Sequence, residues 1–279
     1  MRVTTDGSES VFNGVPDWVY EEEVFSADYA LWFSPNGEEI AFLRSDETEV
    51  SLGVSLSCLR RTAGLTIVPP LTTVCFPPKQ VPIYEYPVYD EDDSGEIHPY
   101  PKEIAMRYPK PGYPNPLVSL RLFSLRTLSE LLSSSFDEPS TLASQATSNL
   151  TWPDQKPATN QVIFEVTWVG QRLLVKESDR AAQSGNVVLF DADAVSGQAG
   201  GVVQGKVVRK LDGKKGWIEQ SQTVKAYGNA GYLDIDYSPE GFNHIAFFAA
   251  ESDEPTWITT GAWEVAGGIS AVDARKKLV

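Results

Sequence analysis

Short apolar runs broken by turn residues dominate the chain. Residues 30–33 are apolar, Ser34-Pro35-Asn36-Gly37 carries turn chemistry, and Ile40 to Arg44 reads as a second strand. That order predicts strand, turn, strand. A similar phrase returns late: Tyr237-Ser238-Pro239-Glu240-Gly241 precedes His244-Ile245-Ala246-Phe247-Phe248. Aligned, SPNGEEIAFLR and SPEGFNHIAFF share Ile-Ala-Phe, with one extra residue ahead of it in the later copy. Between them, residues 162–168, 173–176 and 186–191 read as strands, with Val169-Gly170-Gln171 as a turn. Recurrent hairpins predict an all-β protein, best matched by a β-propeller of four-stranded blades. A β-sandwich or another repeat of hairpins fits the same pattern. Helix signals are poor. Residues 125–132 could make two turns, but the serine run 133–135 follows at once.

One segment breaks the pattern. Residues 51–80 read SLGVSLSCLRRTAGLTIVPPLTTVCFPPKQ, with Arg60, Arg61 and Lys79 as the charged residues and no acid. Both cysteines, Cys58 and Cys75, lie there. Without it, Glu47-Thr48-Glu49-Val50 runs into Pro82-Ile83-Tyr84-Glu85-Tyr86 as one continuous phrase, with Val81 duplicating Val50. The join points to a translated retained intron or a gene-model error; the alternative is a genuine surface insertion. The redox compartment therefore cannot be read from these cysteines.

Composition narrows the function classes. The formal net charge of −15 over 279 residues argues against nucleic acid as a partner, which needs a basic footprint, and favours cationic groups. Seven Trp, 11 Tyr and 12 Phe with 19 Pro and 21 Gly suit strands and turns. No run of 18 apolar residues exists to span a membrane, and the opening MRVTTDGSES is too polar for a signal peptide. Asn149-Leu150-Thr151 is a glycosylation sequon, with meaning in a lumenal or secreted protein.

The stretch DWVYEEEVF, residues 17–25, places Glu21, Glu22 and Glu23 among aromatic and aliphatic neighbours. On a strand at least one acid would share a face with apolar residues, whereas on a helix the three would fan around the axis. They form either a solvated turn or a fixed negative site for a cation. The run from Gly14 to Phe25, GVPDWVYEEEVF, resembles the double-glutamate motif of the dipeptidyl peptidase IV family. So do ALWFSPNGEEIAFLR, DETEV with PIYEYPVY, Tyr108-Pro109-Lys110 with Asn115-Pro116, and GAWEV at residues 261–265. The wording looks closest to fungal dipeptidyl aminopeptidases. Apart from the 51–80 segment, these motifs span most of the chain and fall in the family's order.

The resemblance implies an eight-bladed propeller joined to an α/β-hydrolase domain, a serine-type enzyme that removes N-terminal dipeptides with proline or alanine second. It implies that Glu22 and Glu23 hold the substrate's free α-amine, and that Glu21 is structural or solvated. The chemistry is coherent. An α-ammonium is a compact cation with three donors, and two carboxylates at one spot accept from it and so measure where the peptide begins. Without a cation they repel one another.

No G-x-S-x-G nucleophile elbow occurs, and neither His98 nor His244 sits in a setting that suits a general base. The resemblance places the catalytic domain and last blades downstream of this stretch. It places the first blades, the membrane anchor and the propeller's substrate-binding arginine upstream. The expectation is an incomplete propeller of roughly five blades, poorly stable and without peptidase activity alone. The rival is a non-catalytic propeller binding protein or the product of a truncated pseudogene. No cofactor or metal is expected: Asp90-Glu91-Asp92-Asp93-Ser94-Gly95 opens like a calcium loop but has Pro101 at its twelfth position. Asp191-Ala192-Asp193 reads as a turn, Lys210, Lys214 and Lys215 as a small basic island, and Trp168, Trp217, Trp257 and Trp263 as blade packing. Implied partners are peptide N-termini, with a homodimer of the intact protein. By resemblance, the location is either secreted or the vacuolar membrane with the propeller lumenal.

Overall fold

The computed structural model describes residues 2–48, 81–89, 100–191, 200–213 and 216–276. Both cysteines, His98, the acidic stretch 90–95, Asp193, Lys214 and Lys215 lie outside the described residues, as does the whole 51–80 segment with Glu49 and Val50 before it. The chain divides into two compact units, one made of residues 1–46 and 118–279, the other of residues 47–117.

The larger unit is built from three sheets among the described residues. The first contains β1 (Val11–Asn13), β2 (Leu31–Phe33), β3 (Glu39–Asp46), β6 (Leu117–Ser124), β7 (Thr147–Thr151) and β11 (Val202–Gln204). Its order is β1-β3-β6-β7-β11, with β2 also on β3. The second runs β12-β10-β9-β8, from β8 (Gln161–Val169), β9 (Arg172–Asp179), β10 (Ser184–Asp191) and β12 (Lys206–Asp212). The third is a meander of β13 (Lys225–Tyr227), β14 (Gly231–Tyr237), β15 (Asn243–Ala249) and β16 (Pro255–Trp257). Four-stranded antiparallel sheets packed face to face are blade architecture. The estimate of about five blades is too high for the described residues. The first sheet takes five strands, two helices and the separate 47–117 unit before the second begins, and a sixth strand, β11, after β10, so it consumes more chain than an average blade.

The two similar phrases fold as equivalent hairpins. In both, the turn glycine donates its N–H to the turn serine's carbonyl at 2.9 Å, Gly37 to Ser34 and Gly241 to Ser238. Both glycines have positive φ, 74° and 90°, which glycine adopts without steric cost. The alanines of the shared Ile-Ala-Phe, Ala41 and Ala246, are both fully buried.

The apolar runs of the second sheet have a physical cause. Leu173, Val175, Val188 and Phe190 face the first sheet and share a core with Leu43, Leu120 and Leu122. Their neighbours Leu174, Val187 and Leu189 face the third sheet and pack with Tyr232, Ala246 and Phe248. Alternation along a strand sends successive side chains to opposite faces, so a sheet covered on both sides needs apolar residues at nearly every position.

Each face of that sheet also ends in a buried polar cluster. Toward the third sheet, Lys176 Nζ lies 2.8 Å from both Glu165 Oε2 and Asp234 Oδ1. Arg209 also pairs with Asp234, reaches Asp236 Oδ2 at 2.7 Å and stacks its guanidinium 3.9 Å from the Phe248 ring centre. The Glu165 contact is an ion pair without hydrogen-bond alignment; its other oxygen accepts the Val224 N–H at 2.7 Å. Toward the first sheet, Glu177 accepts from Trp152 Nε1, Asn186 Nδ2, Gln161 Nε2 and the Lys156 N–H. Four neutral donors thus satisfy one buried carboxylate.

The outer face of the first sheet is covered by α1 (Leu125–Ser134) and α2 (Pro139–Gln145), through Phe42, Phe123, Leu128 and Leu142. Helix α1 runs through Ser133 and Ser134, past the sequence expectation, and their hydroxyls bond back to the carbonyls of Ser129 and Glu130 at 2.8 and 2.9 Å. Ser124 caps its start by accepting the Thr127 N–H at 3.2 Å. Helix α2 starts on a proline, a favoured first-turn residue.

In the smaller unit, β4 (Ile83–Val88) and β5 (Lys102–Arg107) pair as one antiparallel ribbon. Tyr84 and Tyr86 stack at 6.1 Å on one face, and Lys110 lies 5.1 Å above the Tyr84 ring centre.

Two stability predictions follow from the buried clusters. Burial pushes the Asp234 carboxyl up, but Lys176 and Arg209 outweigh it and hold the group down at about 2. Its stabilisation is therefore complete above the unfolded value of about 4 and is lost as pH falls toward about 2. Burial raises Glu165 on balance, so its share has the opposite sign. Asp234→Asn should cost about 3–5 kcal/mol in urea unfolding at pH 7 and flatten the acid limb between about pH 4 and 2. An unchanged midpoint would contradict the pairing. Glu177→Gln turns an acceptor-only group into one whose amide faces other donors, and should cost about 1–3 kcal/mol in the same assay.

Candidate functional site

The three glutamates sit on an excursion between β1 and β2 whose two ends are pinned to one residue. Gly14 donates its N–H to the Leu43 carbonyl, Leu43 donates to the Ala30 carbonyl, and Ala30 donates to the Gly14 carbonyl, each at 2.9 Å. Gly14 has φ of 73°, and a Cβ there would lie 3.3 Å from a Leu31 methyl, so the crossing favours glycine.

Within the excursion, residues Tyr20–Phe25 form a π-helical turn. Such wide turns are rare and tend to mark functional positions. Asp17 starts it: its buried carboxylate accepts the Val19 N–H at 2.9 Å and the Ser45 hydroxyl at 3.3 Å, and its carbonyl accepts the Glu21 N–H at 2.9 Å. Burial raises the Asp17 carboxyl above its ordinary value despite these donors. Ser26 ends the turn in the left-handed region, at φ 51° and ψ 42°, with its N–H on the Glu21 carbonyl.

Both apolar ends of the turn are anchored. Tyr20 is 1% exposed, and its hydroxyl accepts the Ile163 N–H at 3.2 Å. Burial pushes that phenol above its ordinary range. Phe25 packs edge-on against Trp32 at 5.4 Å and lies at the same distance from Tyr20. Trp168 donates its indole N–H to the Trp32 carbonyl at 3.1 Å. Gln222 donates to the Val24 carbonyl at 3.1 Å.

Between these anchors the acids face out. Glu22 and Glu23 are exposed and Glu21 is half-buried. Neither Glu22 nor Glu23 makes a side-chain hydrogen bond or ion pair with another described residue. The arrangement offers two uncompensated carboxylates on a rigid base, which can accept from a cation that brings several donors.

Beside this turn, on the wall carrying Gln222, a cavity of about 440 Å³ opens between the second and third sheets. Lys176, Arg209, Asp234, Asp236, Trp217 and Tyr237 line part of it. Trp217 is 68% exposed, so it is not blade packing, whereas Trp168 is buried in the core. His244 is fully buried and held between Thr259 Oγ1 at 3.1 Å and the Gly261 carbonyl at 2.9 Å, with Trp263 edge-on at 5.0 Å. The carbonyl can only accept, so Nε2 carries the proton. The GAWEV stretch thus locks a packing histidine. Asn149 is exposed on β7, with strand partners on both sides. Among the described residues, no cluster of three or more His, Cys, Asp or Glu has metal-holding geometry, and no helix is long and apolar enough to cross a membrane.

Sequence reasoning brought Glu22 and Glu23 to one turn but missed what holds them. Asp17, an acid just ahead of a helical run, carried a capping signal. The Ile163 donor carried none, because it depends on an irregularity in β8.

Comparison with known proteins places the chain in a family. The family model for the dipeptidyl peptidase IV N-terminal region matches residues 1–57 and 71–279. A probable dipeptidyl-aminopeptidase B of Chaetomium globosum is 33% identical over 100% of this chain and 26% of its own length. One from Penicillium rubens is 31% identical over 99% of this chain and 26% of its own length. The crystal structure of Porphyromonas gingivalis dipeptidyl peptidase 4 superposes with a TM-score of 0.62 at 22% identity, covering 98% of this chain and 30% of that one. The chain thus spans about a quarter of the length of the curated relatives it matches. With the propeller-like sheets and the glutamate turn in place, the chain belongs to the dipeptidyl peptidase IV N-terminal region family.

Proposed function

We propose that this chain is the propeller portion of a serine-type dipeptidyl aminopeptidase that releases N-terminal dipeptides with proline or alanine second. In that reading Glu22 and Glu23 anchor the substrate's α-ammonium, and catalysis belongs to residues outside this stretch. The observation that carries it is the pair of exposed carboxylates without partners among the described residues, on a turn clamped at both ends. An acetylated peptide lacks the cation, and one extended at its N-terminus carries it past the pair, so either presents a neutral amide to bare negative charge and the site measures where a chain begins.

Two further parts of the reading concern processing. The family model passes over residues 58–70 and matches residues 51–57 and 71–80 on either side, so it supports a foreign stretch narrower than the 51–80 segment. A transcript read across the locus that retains residues 51–80 in every copy would overturn the retained-intron reading. The exposed side chain of Asn149 suits an N-glycan acceptor, consistent with a secreted or lumenal location.

The amine site is testable on the 279-residue chain. Titration calorimetry with glycyl-proline amide and its N-acetyl twin should show binding of the free amine alone. Glu22→Gln and Glu23→Gln should each remove a charge-assisted bond of about 1.5–3 kcal/mol, roughly ten- to a hundredfold in Kd. Equal binding of both probes, or variants that bind like the parent chain, would sink the assignment.

A further inference from the structure

Strand β8 is the edge of the second sheet, and its pairing with β9 is irregular. Ile163 opposes Glu177 and Glu165 opposes Lys176, so Phe164 is an extra residue at a bulge. Bulges re-aim backbone groups and recur beside functional sites. Here the Ile163 N–H points to the Tyr20 hydroxyl, 3.2 Å away and buried. Tyr20 opens the same turn that carries Glu22 and Glu23.

Among the described residues, two directional contacts tie that turn to residues beyond the first sheet. One is this buried bond; the other is the exposed Gln222 amide on the Val24 carbonyl. The Phe25 and Trp32 rings add packing, which resists separation but tolerates sliding and rotation. A buried bond with one donor and one acceptor permits neither, and water does not compete for it.

We propose that Tyr20 is a positioning residue for the ammonium site, its hydroxyl using the β8 bulge as a fixed reference for where Glu22 and Glu23 stand. This rests on the amine-anchor reading above. Tyr20 touches no substrate in this role. It acts through the turn, holding two like charges in one arrangement that only an N-terminal ammonium satisfies. Loss of the hydroxyl leaves the Ile163 N–H buried and unpaired, and the turn shifts to relieve it.

The test compares the full 279-residue chain with Tyr20→Phe and, as an exposed control, Gln222→Ala. Titration calorimetry uses glycyl-proline amide and its N-acetyl twin, reading Kd and stoichiometry separately. Tyr20→Phe should bind the free amine about tenfold more weakly at unchanged stoichiometry, with discrimination against the acetylated probe reduced in step. Gln222→Ala should change Kd less than about threefold. A merely structural role would lower the competent fraction, seen as stoichiometry, and leave Kd and discrimination alone; that result overturns the inference. If the parent chain fails to discriminate the two probes, the amine reading itself falls, and this inference with it. Should Tyr20→Phe not fold, 3-fluorotyrosine at position 20 keeps the hydroxyl and weakens it as an acceptor. Unaltered discrimination there would equally overturn the proposal.

Discussion

The second sheet is covered on both faces, and the rest of the larger unit depends on that constraint. A strand packed on one side may alternate apolar and polar residues; one packed on both sides may not. The core on one face runs from Leu173 and Val175 to the first sheet, and on the other from Leu174 and Leu189 to the third. Polar groups that enter such a sheet must bring their partners. Lys176 meets Glu165 and Asp234, and Glu177 meets four N–H donors. These clusters fix which face meets which neighbour, since sliding either contact would strand a buried charge.

The same constraint reaches the glutamate turn. The edge of the second sheet must satisfy its outward N–H groups, and at Ile163 it does so through Tyr20. The excursion that presents Tyr20 closes on itself at Leu43, a fully buried residue of the first sheet. Glu22 and Glu23 therefore project from a segment tied to both sheets, although they lie in a connection between short strands. Exposed charge on a rigid base is what recognition of a small cation requires, because less ordering entropy is lost on binding.

Much of this was legible in the sequence. The apolar runs at 162–168, 173–176 and 186–191 became β8, β9 and β10, and the repeated Ser-Pro-x-Gly phrases became matching hairpins. The turn carrying the acids was legible as a place, through the resemblance, but not as a shape. A π-helical turn has no propensity signature, and it forms here because Asp17 satisfies N–H groups at its start while the Tyr20 hydroxyl ties it to Ile163 of β8. Helix α2 escaped notice because its seven residues, PSTLASQ, are stabilised by Leu142 and Ala143 packing on Phe42 and Phe123 rather than by local preference. The long reach of β6, β7 and β11 into one sheet, including a parallel pair, lies beyond any local pattern. It is also why the blade estimate overshot.

The most direct test of the central claim watches the two carboxylates themselves. The chain is labelled with 13C at the glutamate side-chain carboxyl, and the Glu22 and Glu23 signals are assigned by single Gln replacements. Glycyl-proline amide and its N-acetyl twin are then titrated in at neutral pH. The account predicts that both signals move and saturate together with the free amine and stay in place with the acetylated probe. Signals that ignore the free amine, or follow both probes alike, would contradict it.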